Sequence, residues 1–222
     1  MFNITIQNII CDLDGTLIDS ARLTGRIIDE MLADRGIAAR ADRDLIRAMD
    51  AVGGVAMIAA VMGEHTRDPA ADLEDFRARH RVAATPGDLA FPGVAETLAQ
   101  LAAEGIRLAI CSNKPQYLCE KILADLALDR HFGAIVGSAP DRARKPAPDT
   151  ALMAMAQIGA APGDTAYLGD SLIDLATAEA AGIPMILAQW GYGASEVLET
   201  APRVTTVSTM AQLRKAVAGH NA

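Results

Sequence analysis

Five short apolar segments, each of which ends in small or polar residues, recur along this chain with helical stretches between them. This alternation is typical of a parallel sheet, because parallel strands are buried on both faces and need a helical crossover between them. We therefore predict an α/β fold. The predicted strands are Asn8–Cys11, Arg107–Cys111, Ala134–Val136, Thr165–Leu168 and Pro184–Ala188. The predicted helices between the later strands are Ala95–Glu104, Gln116–Ala127, Thr150–Ile158 and Ser171–Ala181.

One region interrupts the alternation directly after the first strand. From about Ala21 to Ala84 the apolar residues follow a helical period and form no strand pattern, and they fit four helices. The stretch Ala84–Gly93 contains two prolines and two glycines and has the composition of a linker. We expect two domains, a core made of residues 1–18 and 88–222 and a helical insert made of residues 19–87.

The acidic composition limits the partners of the chain. A net charge of -8 disfavours nucleic acid, because phosphate backbones bind basic surfaces. No run of about 18 apolar residues predicts a membrane span, and no signal-peptide pattern opens the sequence. The three cysteines have no metal-ligand spacing and fit reduced thiols. We expect a cytoplasmic protein that does not bind a membrane, and the sequence leaves its oligomeric state open.

Chemically active side chains follow four of the predicted strands. Ligands bind at the carboxyl ends of the strands in an open parallel sheet, so these side chains are expected to converge. They are Asp12 and Asp14, then Ser112, Asn113 and Lys114, then Lys145, and finally Asp170 and Asp174. Several carboxylates without nearby His or Cys suit a hard cation, most simply Mg²⁺ bound together with a substrate phosphate.

The residue types in this set suit phosphoryl transfer. Lys145 can balance the charge of a transferring phosphoryl group, and the Ser112 hydroxyl with nearby backbone N–H groups can hold its oxygens. Asp12 is then available as a nucleophile, and Asp14 could protonate the leaving group and afterwards activate water. Lys114 is equally compatible with a surface position.

Four segments, taken in order, resemble the four motifs of the haloacid dehalogenase superfamily: "DLDGTLIDS", "CSNK", "RKPAPD" and "GDSLIDLATAEAAG". The helical insert after the first motif resembles the small four-helix cap of the phosphoglycolate phosphatase-like branch. The segments "FPGVAETLAQLAAEGIRLAICSNK" and "WGYG" are also similar to that branch. The resemblance implies a Rossmann-like core with a mobile cap domain that closes over a small phosphorylated metabolite.

The resemblance also implies a role for each matching position. Asp12 corresponds to the nucleophile that becomes an aspartyl phosphate, and Asp14 to the general acid and base. Asp174 corresponds to a further metal ligand or to a residue that supports the ligands. The implied ligands of Mg²⁺ are Asp12, Asp14 through its backbone carbonyl, Asp170 and Asp174. The implied phosphate-binding residues are Thr16, Ser112, Asn113 and Lys145.

Two positions bear on the reaction class. Dehalogenases of this family do not keep an aspartate at the position of Asp14, and its phosphonate hydrolases carry a different residue there. Sugar-phosphate mutases usually show an acidic residue just before the aspartate of the fourth motif, where this chain has Gly169. The resemblance therefore implies a Mg²⁺-dependent phosphatase, with phosphoglycolate as the first candidate substrate.

Alternatives remain open at this stage. A sugar-phosphate mutase similar to β-phosphoglucomutase would share most of this core, and an inorganic pyrophosphatase would also fit. A non-catalytic binding protein on the same fold would be expected to lack a catalytic residue. In the insert, Arg22, Arg26, Arg47 or the turn at Gly53 and Gly54 could meet the leaving group, although such arginines are more often solvated helix residues.

Overall fold

The computed structural model describes residues 5–50 and 52–218. The first four and last four residues of the predicted core, together with Ala51 of the predicted insert, lie outside the described residues. The chain divides into two compact units. One contains the residues up to Ile18 and those from Ala90 onward, and the other is Asp19–Leu89.

The first unit, called the core unit below, is built on a parallel sheet of six strands in the order β3-β2-β1-β4-β5-β6. The strands are β1 (Asn8–Cys11), β2 (Arg107–Pro115), β3 (Ala134–Ser138), β4 (Thr165–Gly169), β5 (Met185–Ala188) and β6 (Thr205–Val207). The central strand β1 pairs with β2 and β4, and Ile10 lies opposite Ala109 and Tyr167. Every residue of β1 is buried, as the apolar segment predicts.

In the described residues of the second unit, called the helical unit below, there are four α-helices. They are α1 (Ser20–Asp34), α2 (Arg43–Met49), α3 (Gly54–Met62) and α4 (Pro69–Val82). The predicted apolar stripe of α1, which includes Ile27, Ile28 and Met31, is buried. Asp42 caps α2 by accepting hydrogen bonds from the N–H groups of Asp44 and Leu45.

Helices connect the strands of the core unit. They are α5 (Val94–Ala103), α6 (Gln116–Asp125), α7 (Asp149–Gln157), α8 (Leu172–Ala180), α9 (Ala194–Thr200) and α10 (Met210–Ala218). The sequence interpretation missed β6, α9 and α10, and it ended β2 at Cys111. The parallel α/β class is confirmed, since five predicted strands lie in one parallel sheet. No helix in the described part of the chain is long and apolar enough to cross a membrane.

Candidate active site

The aspartate pair of the first motif lies where β1 ends. The N–H of Asp12 donates to the carbonyl of Leu168 at 2.9 Å, which extends the pairing of β1 with β4 by one residue. The chain then turns at Gly15, whose φ of +74° is a conformation that glycine adopts readily. Both aspartates are buried, Asp12 with 7% and Asp14 with 9% of its surface exposed.

The polar residues at the end of β2 have different hydrogen-bond and charge partners. The Ser112 hydroxyl is buried and accepts from the N–H of Lys114 at 3.2 Å. The Asn113 side chain donates to the carbonyl of Lys145 at 3.1 Å and accepts from its N–H at 2.9 Å. The ammonium of Lys114 lies 3.1 Å from Oδ1 of Asp14. Asn113 therefore fixes the backbone of the motif lysine.

Lys145 joins two of the predicted acidic residues. Its Nζ donates to Oδ1 of Asp12 at 2.7 Å, to Oδ1 of Asp174 at 2.7 Å and to the Tyr167 hydroxyl at 3.1 Å. An ammonium has three N–H donors, so all three are used. Burial alone would lower the pKa of Lys145, but the carboxylates of Asp12 and Asp174 raise it well above its ordinary value. Lys145 is therefore held protonated.

Asp174 is the most completely bonded carboxylate of the site. Besides the two donors on Oδ1, its Oδ2 accepts from the N–H of Asp170 at 3.2 Å and from the N–H and hydroxyl of Ser171 at 3.1 and 2.7 Å. Burial opposes ionisation, but Lys145 and Ser171 outweigh it, and the pKa of Asp174 is lowered. Because both oxygens already have protein donors, this geometry favours the supporting role over direct metal ligation.

Asp170 lies against a loop that the sequence interpretation left without a definite role. Oδ1 of Asp170 accepts from the Thr16 hydroxyl at 2.7 Å, and Oδ2 accepts from the N–H of Gly193 at 3.3 Å. A Cβ at Gly191 would lie 2.1 Å from the Cβ of Asp170, so only glycine fits there. The Trp190 indole donates to the carbonyl of Thr16 at 2.9 Å. The "WGYG" segment therefore holds both Asp170 and the turn of the first motif.

The bond from Thr16 to Asp170 bears on one predicted contact. The sequence predicts that the Thr16 hydroxyl binds phosphate. In the structure this hydroxyl donates its proton to Asp170. Its contact with phosphate stays a prediction that competes with this bond.

Three carboxylates crowd together at this edge of the sheet. Oxygens of Asp12, Asp170 and Asp174 lie within 4.8 Å of one another and could hold a metal ion. Burial, and then the neighbouring carboxylates, raise the pKa of Asp12 to about 8 against the attraction of Lys145. Burial and Asp174 raise the pKa of Asp170 to about 7. One ammonium leaves negative charge in excess, and oxygen ligands of this kind suit Mg²⁺.

Most of the chain matches one known protein family. The family described as "Haloacid dehalogenase-like hydrolase" matches residues 9–188. The chain belongs to this family. The resemblance seen in the sequence is confirmed, and so is the expectation of a hydrolase.

Three relatives of this haloacid dehalogenase-like hydrolase illustrate the similarity. It is 30% identical over 217 residues to a phosphoglycolate phosphatase of Yersinia pestis, covering 96% of this chain and 93% of that protein. It is 33% identical over 186 residues to a phosphoglycolate phosphatase of Xanthomonas campestris pv. campestris, covering 83% of each. The solved structure of CbbY from Rhodobacter sphaeroides in complex with phosphate is 26% identical, with a TM-score of 0.72, covering 94% of this chain and 96% of that one.

Gly169 of this haloacid dehalogenase-like hydrolase lacks space for a side chain. A Cβ there would lie 2.6 Å from the Cβ of Asp174. The acidic residue that mutases usually carry before the aspartate of the fourth motif would displace Asp174 from Lys145. Packing against Asp174 therefore restricts position 169 to glycine.

Tyr167 is a site residue that the sequence interpretation missed. Its hydroxyl lies 3.1 Å from Nζ of Lys145, from Oδ1 of Asp174 and from the carbonyl of Cys111. Within β4 it looks like any large core residue, since the strand is buried throughout. Only the strand order, which places β4 beside β1, reveals its polar contacts.

Proposed function

We propose that this haloacid dehalogenase-like phosphatase hydrolyses a small phosphomonoester through an aspartyl phosphate on Asp12, with Mg²⁺ as cofactor. The carrying observation is the placement of Asp12, a buried carboxylate whose Oδ1 is held by Lys145 at 2.7 Å, beside a second buried carboxylate, Asp14. The printed names of the relatives from Yersinia and Xanthomonas support a phosphate ester, and they make phosphoglycolate the first candidate.

In the first step, Oδ2 of Asp12 attacks phosphorus while the bond to the ester oxygen breaks. Lys145 fixes Oδ1 and so leaves the second oxygen of Asp12 to react. Asp14 gives its proton to the leaving oxygen. In the second step Asp14 takes a proton from water, the water oxygen attacks phosphorus, and inorganic phosphate leaves Asp12 as a carboxylate.

The remaining residues bind and orient. Asp12, Asp170 and the carbonyl of Asp14 would hold Mg²⁺, with Asp174 as the further predicted ligand or support. The cation would supply charge neutralisation for the phosphate oxygens. The Ser112 hydroxyl would donate to a phosphate oxygen, and Asn113 holds the backbone of Lys145 in place. We also propose that residues 1–18 and 88–222 form the catalytic core and that residues 19–87 form a cap domain.

The decisive experiment follows both phosphate release and the covalent intermediate. The purified chain is given p-nitrophenyl phosphate and phosphoglycolate with Mg²⁺, and inorganic phosphate is measured with and without EDTA. In parallel, acid-quenched enzyme is examined for protein-bound phosphate that hydroxylamine removes, as expected for an acyl phosphate. We expect Mg²⁺-dependent release of inorganic phosphate, and we expect the quenched enzyme to carry protein-bound phosphate.

Two variants make this result specific. Asp12→Asn should neither release inorganic phosphate nor carry protein-bound phosphate. Asp141 is an exposed carboxylate outside the site, so Asp141→Asn should behave as the wild type. Protein-bound phosphate in the Asp12→Asn variant would reject Asp12 as the nucleophile. Phosphate transfer from β-glucose 1-phosphate to a second sugar position, faster than release to water, would favour the mutase.

A further inference from the structure

Lys114 is fixed beside the proposed general acid by its backbone as well as by its charge. Its N–H donates to the Ser112 hydroxyl at 3.2 Å, and its carbonyl accepts from Sγ of Cys119 at 3.5 Å. A Cβ at Gly137 would lie 2.8 Å from that carbonyl, so the neighbouring strand packs closely against it. The stem of Lys114 therefore starts from a rigid point at the end of β2.

The ammonium of Lys114 lies beside the carboxylate that is proposed to protonate the leaving group. Its Nζ is 3.1 Å from Oδ1 of Asp14, and only 11% of each side chain is exposed. A general acid works within about 2.6–3.2 Å of the oxygen that it protonates. If Oδ1 of Asp14 has that role, the Lys114 ammonium lies within about 6 Å of the ester oxygen of a bound substrate.

The two lysines of the site have different positions relative to the phosphoryl group. Lys145 gives its three N–H donors to Asp12, Asp174 and Tyr167, on the side of the nucleophile. Lys114 is next to Asp14, on the side of the leaving group. A positive charge in that position favours a leaving group that carries a negative charge close to the ester oxygen.

We propose that Lys114 determines specificity by binding a carboxylate that the leaving group carries one carbon away from its ester carbon. The substrate class is then that of short 2-phosphooxy carboxylates, in which the carboxylate is close enough to reach the ammonium while Asp14 contacts the ester oxygen. This inference rests on the proposed function, because it uses Asp14 as the proton donor to the leaving group.

The test compares two substrates that differ in charge at one position. Phosphoglycolate carries the carboxylate, and 2-hydroxyethyl phosphate carries a neutral hydroxyl in its place. Lys114→Gln should lower kcat/KM for phosphoglycolate on the order of 10- to 100-fold, mainly through KM, as expected for a lost charged hydrogen bond. Because Lys114 also lies beside Asp14, some loss is expected on 2-hydroxyethyl phosphate too, but it should be smaller by at least about 5-fold, since the neutral hydroxyl makes no charged hydrogen bond.

Two further variants control this comparison. Lys114→Arg keeps the charge and should keep most of the preference for phosphoglycolate. Lys121→Gln removes a lysine that pairs with Asp125 on the surface of α6 and should leave both substrates unaffected. An equal loss on both substrates in Lys114→Gln would show that Lys114 only positions Asp14, and it would overturn the proposal. A wild type without preference for phosphoglycolate would overturn it as well.

A binding measurement separates this inference from the proposed reaction. Phosphoglycolate is titrated into Asp12→Asn and into Asp12→Asn/Lys114→Gln by calorimetry, with circular dichroism to confirm folding. We expect at least 10-fold weaker binding in the double variant, and equal affinities reject the role of Lys114. If the wild type releases no phosphate from any substrate, the proposed function fails, and this titration still decides whether Lys114 binds the carboxylate.

Discussion

The carboxylates of the core unit and those of the helical unit differ in the charged partners that surround them. In the core unit, Asp12, Asp170 and Asp174 lie together, and Lys145 is bonded to two of them. In the helical unit, Asp72 lies against the guanidinium of Arg35 and accepts from the Thr66 hydroxyl at 2.6 Å. Asp29, which is partly buried in the same unit, is paired with Arg43 at 2.7 Å.

The consequence is visible in the direction of the pKa shifts. Burial and like charges raise the pKa of Asp12 to about 8 and that of Asp170 to about 7. Hydrogen bonding to Arg35 lowers the pKa of Asp72 against the effect of its burial. Charges in the helical unit are therefore paired within that unit, whereas Lys145 balances only part of the negative charge of the carboxylate cluster in the core unit. Such local conflicts are expected where a site serves binding or chemistry.

The largest expected effect separates activity from stability at Asp12. Asp12→Asn should lower kcat by about ten-thousand-fold or more, since a residue that forms the covalent bond cannot be replaced by its neighbours. The metal-free variant should unfold at a temperature no lower than the wild type, because one of the crowded carboxylates has become neutral. Phosphate release and thermal unfolding in EDTA measure the two effects. A clear loss of thermal stability would mean that the ion pair with Lys145 outweighs the crowding.

The second prediction concerns cation binding to the same cluster. Mg²⁺ should raise the thermal unfolding temperature of the wild type, by a stabilisation of about 2.7 kcal/mol at a concentration one hundred times its Kd. Asp170→Asn should lose most of this shift, because an amide is a weaker ligand of a hard cation. NaCl of matched ionic strength and the variant Asp141→Asn are the controls. An undiminished shift in Asp170→Asn would place the cation elsewhere.

A smaller effect is expected at Tyr167. Tyr167→Phe removes one of the three acceptors of Lys145, so the ammonium should be held less firmly toward Asp12. We expect kcat to fall about 3- to 10-fold with little change in KM, the range of one neutral hydrogen bond. Steady-state kinetics measure both constants, and Tyr117→Phe on α6 is the matched control. A change confined to KM would contradict the positioning of Lys145 by Tyr167.

The smallest expected effect is the pH-dependent contribution of Asp72 to the stability of the helical unit. Asp72→Asn should lower the free energy of unfolding at pH 7 by about 1–3 kcal/mol, since the charged bond to Arg35 is lost. The folded pKa of Asp72 lies below its ordinary value of 3.8. Its stabilisation is therefore present above pH 4 and is lost as the pH falls through the lowered folded pKa.

Urea unfolding at several pH values measures this contribution. The wild type and Asp72→Asn should differ at pH 7 and converge below pH 3, where Asp72 is protonated in both states. Asp34→Asn, which removes the more exposed partner of Arg79, should change stability by less than about 1 kcal/mol. A difference that is independent of pH would show that Asp72 acts through packing rather than charge.

The sequence predicts the parts of this molecule that depend on local pattern. The strand β1 is predicted with its observed bounds because its apolar residues stand directly before a polar pair. The cluster of Asp12, Asp170 and Asp174 is predicted because parallel strands deliver their ends to one edge. The helices of the insert follow from their apolar period.

Other parts depend on tertiary contacts that no local pattern encodes. Tyr167 resembles a core residue until β4 is placed beside β1. Lys114 resembles a surface lysine until the turn of the first motif brings Asp14 to it. The strand β6 has only three residues and is partly exposed, so it carries little periodic signal. Trp190 binds the carbonyl of Thr16, a contact that links distant parts of the chain.

The position of β1 has a consequence for how the protein is made. During synthesis β1 leaves the ribosome before the other strands of this sheet, yet Asn8 pairs with Arg107 and Thr165, which follow much later. The helices of Asp19–Leu89 pair mainly among themselves and can fold while β1 waits for its neighbours. Until β4 emerges, the apolar segment of β1 has no complete sheet to join. Slow translation between β2 and β4 should therefore increase aggregation of nascent chains, and a chaperone that covers apolar segments should suppress it.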